Sequence, residues 1–213
     1  MTRKLLIVLM ALALLTVFGC APAATDEPAA EPAAAAEATD EPVQTESAET
    51  AVPESTEEQE PAEFAVTSAG IVDGVMDDAF GMRGTQLDGY VPTRSLPLSV
   101  ANAPQGTACL ALSMIDPDGG DWVHWLAVNV PVGDLAENAS IDLAETFMQG
   151  ENDFGTVGYG GPTPPSGVHT YVIRVYALSE TVSLEEGFSL DAFTQAIGGK
   201  ILAETVLTGD YSS

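Results

Sequence analysis

The residues best suited to chemistry fall in three clusters between positions 114 and 178. Asp116-Pro117-Asp118 brings two carboxylates, and Trp122-Val123-His124-Trp125 brings an imidazole between two indoles. A Gly/Pro stretch from Gly158 through Gly160, Gly161, Pro162, Pro164 and Pro165 then leads to His169-Thr170-Tyr171. The chain has two histidines in all, and both are here. Carboxylates and imidazoles exchange protons, orient one another or hold an anion, and a tyrosine hydroxyl adds a donor. Acid–base or metal chemistry would need more. No closed zinc spacing is present and no nucleophile is flanked by a base, so no catalytic residue, metal ligand or cofactor is assigned. A binding pocket is the better reading.

The elements that must position these groups are mostly strands. Residues 64–68 alternate, and residues 108–115 form a short apolar run suited to a buried strand. Residues 122–130 and 170–178 are rich in aromatic and β-branched side chains, and a short strand is expected over 203–207. One helix is expected after Ser189, with Leu190, Phe193, Ile197 and Ile201 at helical spacing, although Gly198-Gly199 weakens its second half. A shorter helix is expected near 141–148, within a long loop over 132–169. The fold class is therefore mainly β, with a few flanking helices.

Pro117 pushes Asp116 toward extended backbone, so the strand from residue 108 ends in two carboxylates on a stiff corner. Period-two alternation places Trp122, His124, Leu126 and Val128 on one face, and His169, Tyr171, Ile173 and Val175 on one face of the later strand. Each histidine sits near the start of its strand. Strands lying side by side in one direction would bring the two rings together beside the Asp corner. Gly160 and Gly161 would turn backbone N–H groups inward as an anion-binding concavity. Glu151 and Asp153 read as a solvated loop, and Trp125 as core.

Outside these clusters the chain reads as an address, a tether and scaffold. Arg3-Lys4 followed by the apolar residues 5–18 describes an export signal, too short for the roughly 20 apolar residues of a spanning helix. Val17-Phe18-Gly19-Cys20 resembles the bacterial lipobox, which implies that residues 1–20 end at a lipidated Cys20. Two or more acyl chains anchor stably, so the protein is expected to be lipid-anchored in the cell membrane and to face outside the cytoplasm. Cys109 is then alone and reads as a small buried hydrophobe. Residues 21–63 hold 13 acids with no Lys, Arg or aromatic residue, a composition expected to form an extended, disordered acidic linker. Residues 64–213 are long enough for one domain with a sizeable core. Their 19 acids against four bases, a net charge of −15, exclude nucleic acid as a partner.

Asp-Pro-Asp, Trp-x-His and Gly-Tyr-Gly-Gly-Pro-x-Pro-Pro-x-Gly-x-His-x-Tyr, in that order and followed by Val175-Tyr176-Ala177-Leu178, resemble the phosphatidylethanolamine-binding protein family. That family is also called Raf-kinase-inhibitor-like, and this chain is most similar to its bacterial branch. The resemblance spans residues 64–211, including Asp73-Gly74 and Ser95-Leu96-Pro97-Leu98. It implies a β-sandwich of antiparallel sheets with flanking helices and a small pocket for phosphate- or carboxylate-like anions. By motif the ligand-binding residues are Asp116, Asp118, Trp122, His124, Gly161, Pro162, His169 and Tyr171. The histidines, the loop N–H groups and the Tyr171 hydroxyl would donate to the anion, with Trp122 as an apolar wall and the two aspartates as braces. Gly119-Gly120 and Val100 depart from the family pattern, and the corner after Asp118 is expected to be looser for it.

The expected function is a membrane-anchored, extracytoplasmic binding protein for a small anion or a phospholipid head group. An inhibitor or regulator of a partner enzyme through the same face is the alternative, and a hydrolase a distant third. Two histidines meeting in an acidic domain also predict anion binding that strengthens below about pH 6.

Overall fold

A computed structural model describes residues 62–213. Cys20, the export segment and all but the last two residues of the 21–63 linker lie outside the described residues. No helix among the described residues is long and apolar enough to cross a membrane.

The strands in chain order are β1 (Ala65–Thr67), β2 (Ile71–Val72), β3 (Val75–Met76), β4 (Leu87–Asp88), β5 (Val91–Pro92) and β6 (Ser99–Ala101). After them come β7 (Cys109–Asp116), β8 (Trp122–Val130), β9 (Met148–Gln149), β10 (Val168–Leu178) and β11 (Ile201–Ser212), with helices α1 (Ala139–Asp142) and α2 (Leu190–Ile197). Seven strands form one sheet in the order β2-β3-β11-β10-β7-β8-β9, while β1 pairs with β6 and β4 with β5. All pairings are antiparallel except a single parallel contact between β11 and β3.

Two cores follow from the two faces of this sheet. On one face Leu112, Met114, Trp125, Tyr171 and Ile173 pack with Val66 of β1, the preceding Phe64 and the loop residues Leu96 and Phe147. On the other, Cys109, Ala111, Leu126 and Val128 meet Phe193 and Ile197 of α2. Odd-numbered residues of β10 enter the first core as alternation requires. Ser189 caps α2 by accepting from Ala192 N. The helix stops at Ile197 because Gly198 closes it and Gly199 adopts φ +76°. Ile201, expected on the helix, therefore opens β11, a longer strand than the 203–207 segment predicted. The helix expected near 141–148 is α1, earlier and shorter, and Met148 belongs to β9.

Two irregularities in β8 matter for the site. Its pairing with β7 steps from Ile115–Val123 to Met114–Trp125, so His124 is the extra residue of a β-bulge. A second step lies near Asn129, which has φ +58°. The first bulge returns Trp125 and Ala127 to the face of Trp122, and sends Leu126 and Val128 to the α2 side. Strict alternation had grouped Leu126 and Val128 with His124. The one-residue insertion reverses that grouping.

Candidate functional site

The site grows from the ends of three neighbouring strands. Since β7 is antiparallel to both β8 and β10, those two run in the same direction with β7 between them, rather than side by side. Trp122 pairs with Asp116, and Val172 pairs with Ile115, which puts Tyr171 one step from Asp116 on the β10 side. Two strand spacings are about 10 Å. The long side chains close that gap, and the His124 and Tyr171 rings meet edge to face at 5.0 Å.

Each aspartate braces a different segment. Asp116, 4% exposed, accepts from Gly119 N at 2.9 Å through Oδ1, and its Oδ2 takes the His169 Nδ1 hydrogen at 2.7 Å. Asp118 Oδ2 accepts from Thr170 N at 2.8 Å, tying the Asp-Pro-Asp turn to the start of β10. Asp153 Oδ2 accepts from Val123 N at 2.7 Å and so is a lining residue, not merely a solvated loop acid. Gly119 fits the turn by lying against Asp116, where a Cβ would come within 2.8 Å of Oδ2.

His124 is buried and clasped by the loop. Its Nδ1 donates to Gly160 O at 2.5 Å while Gly160 N donates to His124 O at 2.8 Å. Burial lowers the His124 pKa from its usual value, and the Gly160 carbonyl and the nearby Asp116 and Asp153 only partly oppose this. Phe154 covers the ring at 5.6 Å and also meets Trp122 at 5.5 Å and Tyr90 at 6.2 Å. Tyr171 has no exposed surface, and its hydroxyl makes no hydrogen bond of ordinary geometry, although Asp116 and the Thr163 backbone lie near it. Burial first, and then the Asp116 charge, push its phenol well above the usual value, so it remains a donor.

These groups enclose a cavity of about 540 Å³. Asp116, Asp118, Trp122, His124, His169 and Tyr171 all line it. Gly161 and Pro162 do not, and the expected inward N–H concavity is absent. Gly160 N is spent on His124 O, Gly161 N donates to Pro92 O at 2.8 Å, and Pro162 O accepts from Met82 N. Gly161 is needed for close packing, since a Cβ there would come within 2.2 Å of Phe80 O. Thr163 and Pro165 line the cavity in their place. Residue order gave no sign of Tyr90, Asp153, Phe154 or Thr163, because the path of the 150–167 loop and the β4–β5 turn brings them in. Among the described residues no group of three or more His, Cys, Asp or Glu converges as a metal site.

The described fold is shared by solved structures of a known family. Residues 66–212 match the family model described as phosphatidylethanolamine-binding protein. The chain belongs to that family. It is 38% identical over 137 residues to a UPF0098 protein of Methanothermobacter thermautotrophicus, covering 58% of this chain and 91% of the relative. It is 37% identical over 132 residues to the uncharacterised Bacillus subtilis protein YxkA, covering 54% of this chain and 79% of that one. Among solved structures, a putative phosphatidylethanolamine-binding protein homologue from Chlamydia trachomatis aligns with TM-score 0.62 and 31% identity over 70% of this chain and 97% of that one. E. coli YbcL, described as a new member of the mammalian family, aligns with TM-score 0.62 and 30% identity, covering 71% and 99%.

Proposed function

We propose that the protein is a membrane-tethered, extracytoplasmic binding protein that holds a small phosphate-type anion in the cavity around Asp116, His124, His169 and Tyr171. The polar lining of the cavity carries this reading: Asp116, His124, His169 and Tyr171 converge on a space large enough for a small ligand. His169, held by Asp116 and partly exposed, is the polar group a ligand oxygen can reach. Trp122, Phe154 and Tyr90 give apolar walls against which the rest of the ligand can lie. Cys20 would be the acylated anchor.

Calorimetric titration with phosphoethanolamine tests the binding. The wild-type protein is expected to bind, and His169→Ala to bind about tenfold more weakly or worse, because a hydrogen bond to a charged group contributes about 1.5–3 kcal/mol. Absence of wild-type binding, or affinity unchanged in His169→Ala, would end this reading.

A further inference from the structure

An anion entering this cavity meets more negative charge than positive. The lining carries Asp116, Asp118 and Asp153 and no lysine or arginine. The four bases of the domain are paired elsewhere: Arg83 with Asp78, Arg94 with Glu137, Arg174 with Glu204 and Lys200 with Glu180. Positive charge can therefore come only from the imidazoles.

Both rings are fixed the same way round. Nδ1 of His124 faces a carbonyl oxygen, which can only accept, so that nitrogen carries the hydrogen. Nδ1 of His169 faces the Asp116 carboxylate and carries its hydrogen for the same reason. Neither Nε2 has a hydrogen-bond partner of ordinary geometry among the described residues, although the Gly161 backbone also lies against the His124 ring. In a neutral ring Nε2 is then a bare acceptor. The groups facing His124 are Asp116 from β7, Asp153 from the 150–167 loop and Tyr171 from β10. Those facing His169 are Asp116 at the end of β7, Asp118 from the turn after it, and Tyr211 opposite it on β11.

We infer that the cavity takes its anion together with one proton, shared between an imidazole Nε2 and a ligand oxygen, and so prefers phosphate monoesters over phosphodiesters and sulfate. The inference rests on the anion reading above and names its ligand class. A phosphate monoester has a second pKa of about 6, so the proton can stay on the ligand while the ring remains neutral. Sulfate and phosphodiesters are far weaker bases. With them the proton must stay on the imidazole, as a buried cation, and burial opposes that at His124. The same chemistry separates a free phosphorylated small molecule from the head group of an intact phospholipid, whose phosphate is a diester.

Calorimetry at about pH 7 in buffers of differing ionisation enthalpy reads the proton directly. Phosphoethanolamine is expected to bind with uptake approaching one proton, and its affinity to fall about tenfold per pH unit above pH 7. Glycerophosphoethanolamine and sulfate are expected to bind at least about tenfold more weakly. Absence of proton uptake, or diester and sulfate binding as tight as that of the monoester, overturns the inference and leaves the anion reading standing. Failure of all three probes between about pH 5.5 and 8.5 overturns both. His124→Asn and His169→Asn each keep a donor near the Nδ1 position and remove Nε2. Loss of proton uptake in either supports the shared proton, whereas unchanged uptake in both overturns it. Should either variant fail to fold, the wild-type comparison decides alone.

Discussion

At the scale of single residues, His124 and His169 are alike in type and unlike in setting. His169 is partly exposed and fixed by a carboxylate, whereas His124 is 2% exposed and fixed by a peptide carbonyl. Burial lowers the His124 pKa below its usual value of about 6.5. The unfolded chain therefore takes up this proton at a higher pH than the folded protein does. Between the two pKa values the unfolded state holds more protons, so stability falls as the pH drops from about 6.5 toward the folded value. Thermal melts at a series of pH values should show the wild-type Tm declining through this window, and His124→Asn declining less. Parallel curves for the two proteins would refute the assignment. The two histidines, Tyr171 and the paired aspartates could be read from residue type and spacing. The spent N–H groups of Gly160 and Gly161 could not, because which carbonyl each one meets depends on where the loop lands.

At the scale of elements, the loop that roofs the cavity is held by a buried polar cluster. Gln149 on β9 accepts from Trp125 Nε1 at 2.9 Å and from Ser140 Oγ at 2.7 Å, and its amide donates to Ser140 O at 2.8 Å. Ser140 Oγ in turn accepts from Tyr159 N at 2.9 Å, just before the Gly160–His124 clasp. Gln149→Leu would strand the Trp125 and Ser140 donors in the core, each costing about 1–3 kcal/mol. Urea unfolding should show a loss of about 2–4 kcal/mol, with weaker anion binding as Tyr159 and Gly160 loosen. A loss under about 0.5 kcal/mol would show that the cluster does not hold the loop. Long strands such as β8 and β10 were legible because their aromatic and β-branched runs are continuous. The two-residue strands β2 to β5 and β9 carry no periodicity of their own and form only where β11, β8 or a turn supplies a partner. The bulge at His124 was equally hidden, since no residue there demands it.

At the scale of the whole molecule, the family fold brings together groups from β7, β8, β10 and the loop between residues 150 and 167, while charge sets the terms of entry. A domain of net −15 with every base ion-paired has no general attraction for anions, so any anion bound is bound by local geometry. Placement in the cell, on the function proposed above, is a separate property that Cys20 would carry. Cys20→Ser is expected to move the protein from the membrane fraction to the soluble fraction, read by detergent partition and fractionation, while leaving ligand affinity unchanged. Retention of the variant in the membrane would refute the anchor. The family and the fold class were legible in the sequence because three motifs recur in one order. The hydrogen-bond partner of each ring was not, because it depends on where the loop and the Asp-Pro-Asp turn land.

The β-bulge at His124 has a consequence for how such a site can change over time. Strand pairing passes from Val123 to Trp125 around it, so position 124 answers to no residue across the ladder. Its neighbours on β8 are each tied to a counterpart on β7, and drift at those positions must be matched. His124, which lines the cavity, is exempt from that matching. Lineages sharing this scaffold can therefore diversify what the cavity holds by substitution at one unpaired position, while the sheet that carries it stays in register.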